Sequence, residues 1–123
     1  MRWIAMVPLL GIVALSGTAQ EPKLEKPVVD FQKDVVPIFV AKCNRCHGDK
    51  QKQGGLDMRT IPALLKGGIS GPAMAPGKSE KSLMVDMMHF NEMPPKKEKN
   101  KVTREELDRI KAWIDGGANE SKK

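Results

Sequence analysis

Two cysteines separated by two residues and followed at once by a histidine, Cys43-Asn44-Arg45-Cys46-His47, constrain this chain more than any other feature. Two thiols three positions apart at the end of a helix point to one side, and the adjacent imidazole is carried in beside the second. Cys-x-x-Cys-His is the spacing of covalent haem attachment. Thioethers from Cys43 and Cys46 would fix the ring, and His47 would supply the proximal ligand to iron. Three other uses compete for the same residues. A disulfide would close a very tight loop, and a thioredoxin-like pair needs a βαβ pattern that the sequence lacks. Zinc held by Cys43, Cys46, His47 and His89 would require two consecutive residues to converge on a tetrahedral ion. The spacing argues against each.

A chain of 123 residues has room for one compact domain. It is 40% hydrophobic but has only three Phe, two Trp and no Tyr, so large core side chains are scarce. One covalently attached haem c at the centre would fill an interior that these side chains cannot.

Met1-Arg2, the apolar run from Trp3 to Leu15 and the small residues Ser16-Gly17-Thr18-Ala19 have the three zones of a secretory signal. Residues 1–19 are therefore expected to be removed and the protein exported to the periplasm or another extracytoplasmic space. The apolar run, broken by Pro8 and Gly11, falls short of the roughly 20 residues that span a bilayer, so an uncleaved anchor is the weaker reading and no membrane span is expected after cleavage. Residues 20–29, with two prolines and several charges, read as a flexible leader. The folded domain is expected over 30–118, with a short flexible tail at 119–123. The formal net charge of +6 would fall with the loss of Arg2 and the addition of haem propionates, which gives little support to a nucleic-acid partner. The basic residues gather locally instead, at Lys96, Lys97, Lys99 and Lys101 around Glu98.

The pattern is mainly α-helical. Phe31, Val35, Ile38 and Phe39 recur at helical spacing, with Asp30 or Asp34 as the cap; a cap at Asp34 would place Pro37 in the first turn, where its missing N–H costs nothing. Thr60 caps a short helix that has Pro62 in its first turn and ends at Gly67-Gly68. Ser79 is expected to cap a helix whose Leu83, Met84, Met87 and Met88 share one face as ordinary core residues. Thr103 and Glu106 form a capping box ahead of Leu107, Ile110, Trp113 and Ile114, and Gly116-Gly117 stops that helix. No strand-like alternation is visible.

A distal ligand must come from far along the chain. Met93 precedes Pro94-Pro95, which hold its backbone off helix and stiffen the loop, and its thioether is the preferred candidate. Met74, in a Pro-flanked loop, and His89, which would make a bis-histidine site, are its rivals.

Taken together, Asp34-Val35-Val36-Pro37-Ile38-Phe39, Cys43-Asn44-Arg45-Cys46-His47-Gly48, Gly54-Gly55-Leu56-Asp57-Met58-Arg59-Thr60, Leu64-Leu65-Lys66-Gly67-Gly68, Gly71-Pro72-Ala73, Met93-Pro94-Pro95 and Trp113-Ile114-Asp115-Gly116-Gly117-Ala118 resemble the planctomycete-type cytochrome c domain. The resemblance implies a small class I cytochrome c-like helical domain wrapped around one covalent haem, with Met93 as distal ligand. The expected role is an exported monohaem carrier of single electrons between a redox donor and acceptor, of which an acidic protein is one type. It is not expected to be an enzyme, because two filled axial positions leave iron closed to substrate. The alternative is a haem-containing subunit or sensor of a larger redox enzyme whose distal ligand is displaceable. A disulfide-bonded module without haem is the third reading.

Overall fold

The structure, a computed structural model, describes Pro8, residues 11–21 and residues 26–121. The charged start and most of the apolar run of the expected signal lie outside the described residues. Residues 11–21 carry no regular structure, and Ile12, Val13 and Leu15 are exposed. Among the described residues no helix is long and apolar enough to cross a membrane.

The described chain is helical, with isolated bridges and no strand. A π-helical turn, Phe31–Val35, runs straight into α1, Val36–Lys42. Asp30 is its cap: the carboxylate accepts from Lys33 N at 2.8 Å, while Asp34 reaches back to accept from Asp30 N at 2.8 Å. This differs from a start at Asp34. The helix begins one turn earlier and meets Pro37 by widening, with Val36 N–H bonded to Phe31 O, so the proline ring enters without the clash of a regular α turn.

Helix α2, Ile61–Lys66, has the expected start and stop. Thr60 Oγ1 accepts from Ala63 N at 3.2 Å, and Gly67 ends the helix at φ 70°, where a Cβ would also collide with the Gly71 carbonyl. Helix α3, Leu83–His89, starts after Ser82 rather than Ser79. Ser79 instead opens a 3₁₀ turn, Ser79–Lys81, and both its N–H and its hydroxyl bond Asp115 at 2.8 and 2.9 Å. Tertiary bonding to the far end of the chain thus displaces its capping role. Helix α4, Arg104–Asp115, carries the Thr103/Glu106 capping box as expected.

Trp113 organises the core. Phe31 stacks on it at 4.9 Å between ring centroids and Phe39 meets it edge-on at 6.4 Å, while Ile110, Ile114 and Val35 are fully buried. The indole N–H donates to Asn119 O at 2.9 Å, and Ser121 Oγ donates to Asp30 Oδ1 at 2.7 Å, so the end of the described chain closes over the start of the first helix. Among the described residues, three of the four large aromatic rings, Phe31, Phe39 and Trp113, are spent at this base, and Phe90 is exposed. The other end of α1 faces a cavity.

Candidate functional site

Helix α1 stops in a way that aims the motif. The N–H groups of Cys43 and Asn44 both go to Phe39 O, at 2.9 and 2.8 Å, and Cys43 O then accepts from Cys46 N at 3.1 Å and His47 N at 2.9 Å. Two carbonyls therefore wind the five residues into one compact turn. Gly48 follows because a Cβ there would collide with the Asn44 carbonyl. The chain then loops back: Gln53 N donates to Cys46 O at 2.9 Å and Met58 N to His47 O at 2.8 Å. Arg59 stiffens the returning strand of this loop by bonding Asp57 and Asp49, and its side-chain hydrogen bond holds the Asp57 carboxyl well below the usual carboxylate range.

Cys43, Cys46 and His47 line a cavity of about 420 Å³. Met93 lines it too. So do Met58, Met84, Met87 and Met88, of which Met58, Met84 and Met88 are buried, with Leu56, Ala73 and Leu83 completing an apolar wall. The methionine face of α3 is therefore cavity lining rather than plain core, which spacing alone does not distinguish. Leu83, expected in the core with that face, is 36% exposed at the rim.

Met93 arrives by a reversal at the end of α3. Asn91 takes a left-handed backbone, φ 56°, and the N–H groups of Glu92 and Met93 both return to Met87 O, at 2.8 and 3.0 Å. The helix thus ends before the prolines, at a residue whose side chain tolerates that conformation. Met74 does not reach the cavity wall; it is buried in the core at 2% exposure. His89 is exposed and stands edge-on to Phe90, also away from the wall.

Burial, and next the charge of Glu106, push the Cys43 thiol up to about 12, so it stays protonated and a poor partner for disulfide exchange. Lys42, just before it, pairs with Glu106. Burial alone would raise the Glu106 pKa, but hydrogen bonds from Lys42 and Thr103 outweigh it and hold the carboxyl below its ordinary value. His47 Nδ1 is buried without a hydrogen-bond partner, so the ring is not committed to a protein acceptor or donor on that side. The donor set, two thiols and one imidazole beside an apolar space of ligand-site size, fits a flat apolar group bound by two thioethers and an axial histidine.

Residues 43–97 match the family model of planctomycete cytochrome C, a segment that runs from the first thiol through the Met93-Pro94-Pro95 loop. No curated protein and no solved structure gave a match.

A carboxyl with a lowered folded pKa stabilises the fold above its unfolded value and loses that contribution as pH falls. Thermal unfolding followed by circular dichroism should therefore show stability falling as pH drops below the ordinary glutamate value of 4.5. Glu106→Gln should lower stability at pH 7 and flatten part of the acid slope. An identical slope in the variant would remove Glu106 from the account.

Proposed function

We propose, from the match of residues 43–97 to the planctomycete cytochrome C family, that this chain is an exported carrier of single electrons holding one haem c. Cys43 and Cys46 form the thioethers, His47 binds iron on the proximal side and Met93 on the distal side. One observation carries the reading: these four residues, distant in sequence at one end, line a single apolar cavity, whereas Met74 and His89 do not. Haem supplies the iron couple that takes up and releases one electron. The protein's part is to hold and to exclude. Two thioethers from one turn would keep the cofactor attached in both oxidation states, and the methionine wall would keep water from the metal and disfavour the more charged oxidised form. An iron held by both His47 and Met93 would have no position left for a substrate. Export, the signal at 1–19, the leader at 20–29 and the domain limits at 30 and 118 belong to the same proposal.

Docking follows from the loop that carries Met93. Lys96, Lys97 and Lys99 are exposed, and Lys97 shares an opening with Arg45, Cys46, Pro95 and Glu98, where Arg45 pairs with Glu98 at 3.6 Å and the neighbouring lysines leave an excess of positive charge. Positive charge thus borders the attachment edge of the cavity, and an acidic redox protein is the partner it suits. Lys101 does not belong to this patch, because its ammonium turns inward onto main-chain carbonyls.

A pyridine haemochrome spectrum should give one haem c per chain. Met93→Ala should abolish the weak sulfur-to-iron band near the red end of the oxidised spectrum and lower the potential, while Met74→Ala changes neither. A band lost only in another methionine variant would move the ligand role there, and a spectrum without that band but sensitive to His89→Ala would indicate bis-histidine ligation. Ready binding of carbon monoxide by the wild-type reduced protein would favour a sensor over a carrier.

Charge reversal of Lys96 and Lys97 should slow electron transfer to an acidic partner at low salt, and the deficit should shrink as the Debye length falls from roughly 30 Å to below 10 Å. Stopped-flow rates equal to wild type at low ionic strength would leave these lysines as solubilising charge.

A further inference from the structure

The segment after Met93-Pro94-Pro95 is tied back onto it. Lys101 Nζ donates to Pro94 O at 2.7 Å and also to Pro95 O. Proline has no N–H, so this stretch offers acceptors only, and a single ammonium meets two of them. Pro94 is itself buried.

Lys101 is anchored in the opposite direction as well. Its main-chain oxygen accepts from Lys42 Nζ at 2.6 Å, and the neighbouring Asn100 Nδ2 donates to Ala41 O at 3.2 Å. Ala41 and Lys42 are the last residues of α1, directly before Cys43. Lys42 is in turn held by Glu106, so α4 is part of the same network. One residue therefore joins the loop that presents Met93 to the helix end that presents Cys43, through bonds in which both donors are charged. Such bonds are roughly twice as strong as neutral ones. On its other side Met93 is held by its own N–H to Met87 O at 3.0 Å.

We propose that Lys101 is a positioning residue for the distal ligand: its ammonium grips the Pro94 and Pro95 carbonyls and keeps the Met93 thioether directed into the haem cavity. The proposal rests on the reading of Met93 as that ligand. Lys101 touches no reacting atom; it acts through the loop. Without it Pro94 O loses its donor and Pro95 O keeps only the Glu98 N–H, at 2.8 Å, so the loop loses its charged side-chain tie and the thioether would be held less firmly in the cavity.

The test uses holoprotein and a probe that enters only when the distal position opens, carbon monoxide added to the reduced form. Lys101→Met, which keeps the aliphatic stem, should bind carbon monoxide at least about tenfold faster than wild type, as expected for loss of a charged hydrogen bond. Its sulfur-to-iron band should weaken, and Lys101→Arg should restore both. Unchanged carbon monoxide kinetics and an unchanged band in Lys101→Met, even with a lower unfolding midpoint, would overturn the proposal and leave Lys101 a structural tie. If Lys101→Met yields no holoprotein, Lys101→Leu, which also lacks a donor, is measured instead, and wild-type kinetics there overturn the proposal equally. Failure of the ligand reading has its own mark: the band survives in Met93→Ala.

Discussion

Phe39 O takes the N–H groups of Cys43 and Asn44, and Cys43 O takes those of Cys46 and His47. Everything at the site depends on this pair of shared carbonyls. They end α1 and roll the next residues into a turn, so two thiols and an imidazole reach the cavity from consecutive backbone positions. The turn holds because its neighbours are fixed: Phe39 is clamped against Trp113, Gly48 alone fits beside the Asn44 carbonyl, and Met58 N closes the loop onto His47 O. Covalent attachment chemistry demands such order before the cofactor is fixed, since each thiol must meet its own reaction site on the ring.

The rest of the molecule divides its apolar material in two. Rigid rings, Phe31, Phe39 and Trp113, pack at the base, where shape is settled by the chain alone. Flexible methionines line the cavity, whose shape the proposed cofactor would complete. A thioether chain has three rotatable bonds and a polarisable sulfur, so it can close around a flat group without the strain a branched side chain would incur. The same residue type thereby supplies both the wall and, at Met93, the candidate ligand. What sets Met93 apart among the five is its backbone: it lies beyond the helix, on a reversal made by Asn91 and held by Met87 O, whereas Met84, Met87 and Met88 are within α3 and Met58 is tied by its N–H to His47 O, beside the motif itself.

Local signals in the sequence were read reliably where neighbours in sequence decide the structure. The Thr60 cap, the Thr103/Glu106 box and the stop at Gly67 each involve residues within four positions of one another, and each stands in the fold. The helical class and the Cys-x-x-Cys-His turn were legible for the same reason. Where distant residues decide, the sequence was silent or misleading. Ser79 has the chemistry of a cap but is claimed by Asp115 across the domain. In the sequence Asp30 and Asp34 are both open as the first cap; the structure takes Asp30, and the turn before Pro37 widens to admit the proline. Lys101 looked like one more surface charge in a basic run, and only the return of the chain onto Pro94 and Pro95 gives its ammonium two partners. The methionine stripe of α3 showed the correct spacing, but spacing does not say whether the space it faces is filled by protein or by a cofactor.

The central claim is that one particular methionine, Met93, completes a site begun by Cys43, Cys46 and His47. Proton NMR of the reduced holoprotein tests it most directly, because a side chain held over the face of a haem is shifted far upfield by the ring current. The account predicts one methionine methyl in that extreme region, connected through its spin system to Met93. Assignment of that methyl to Met58, Met84, Met87 or Met88, or a reduced spectrum with no methionine so shifted, would contradict it.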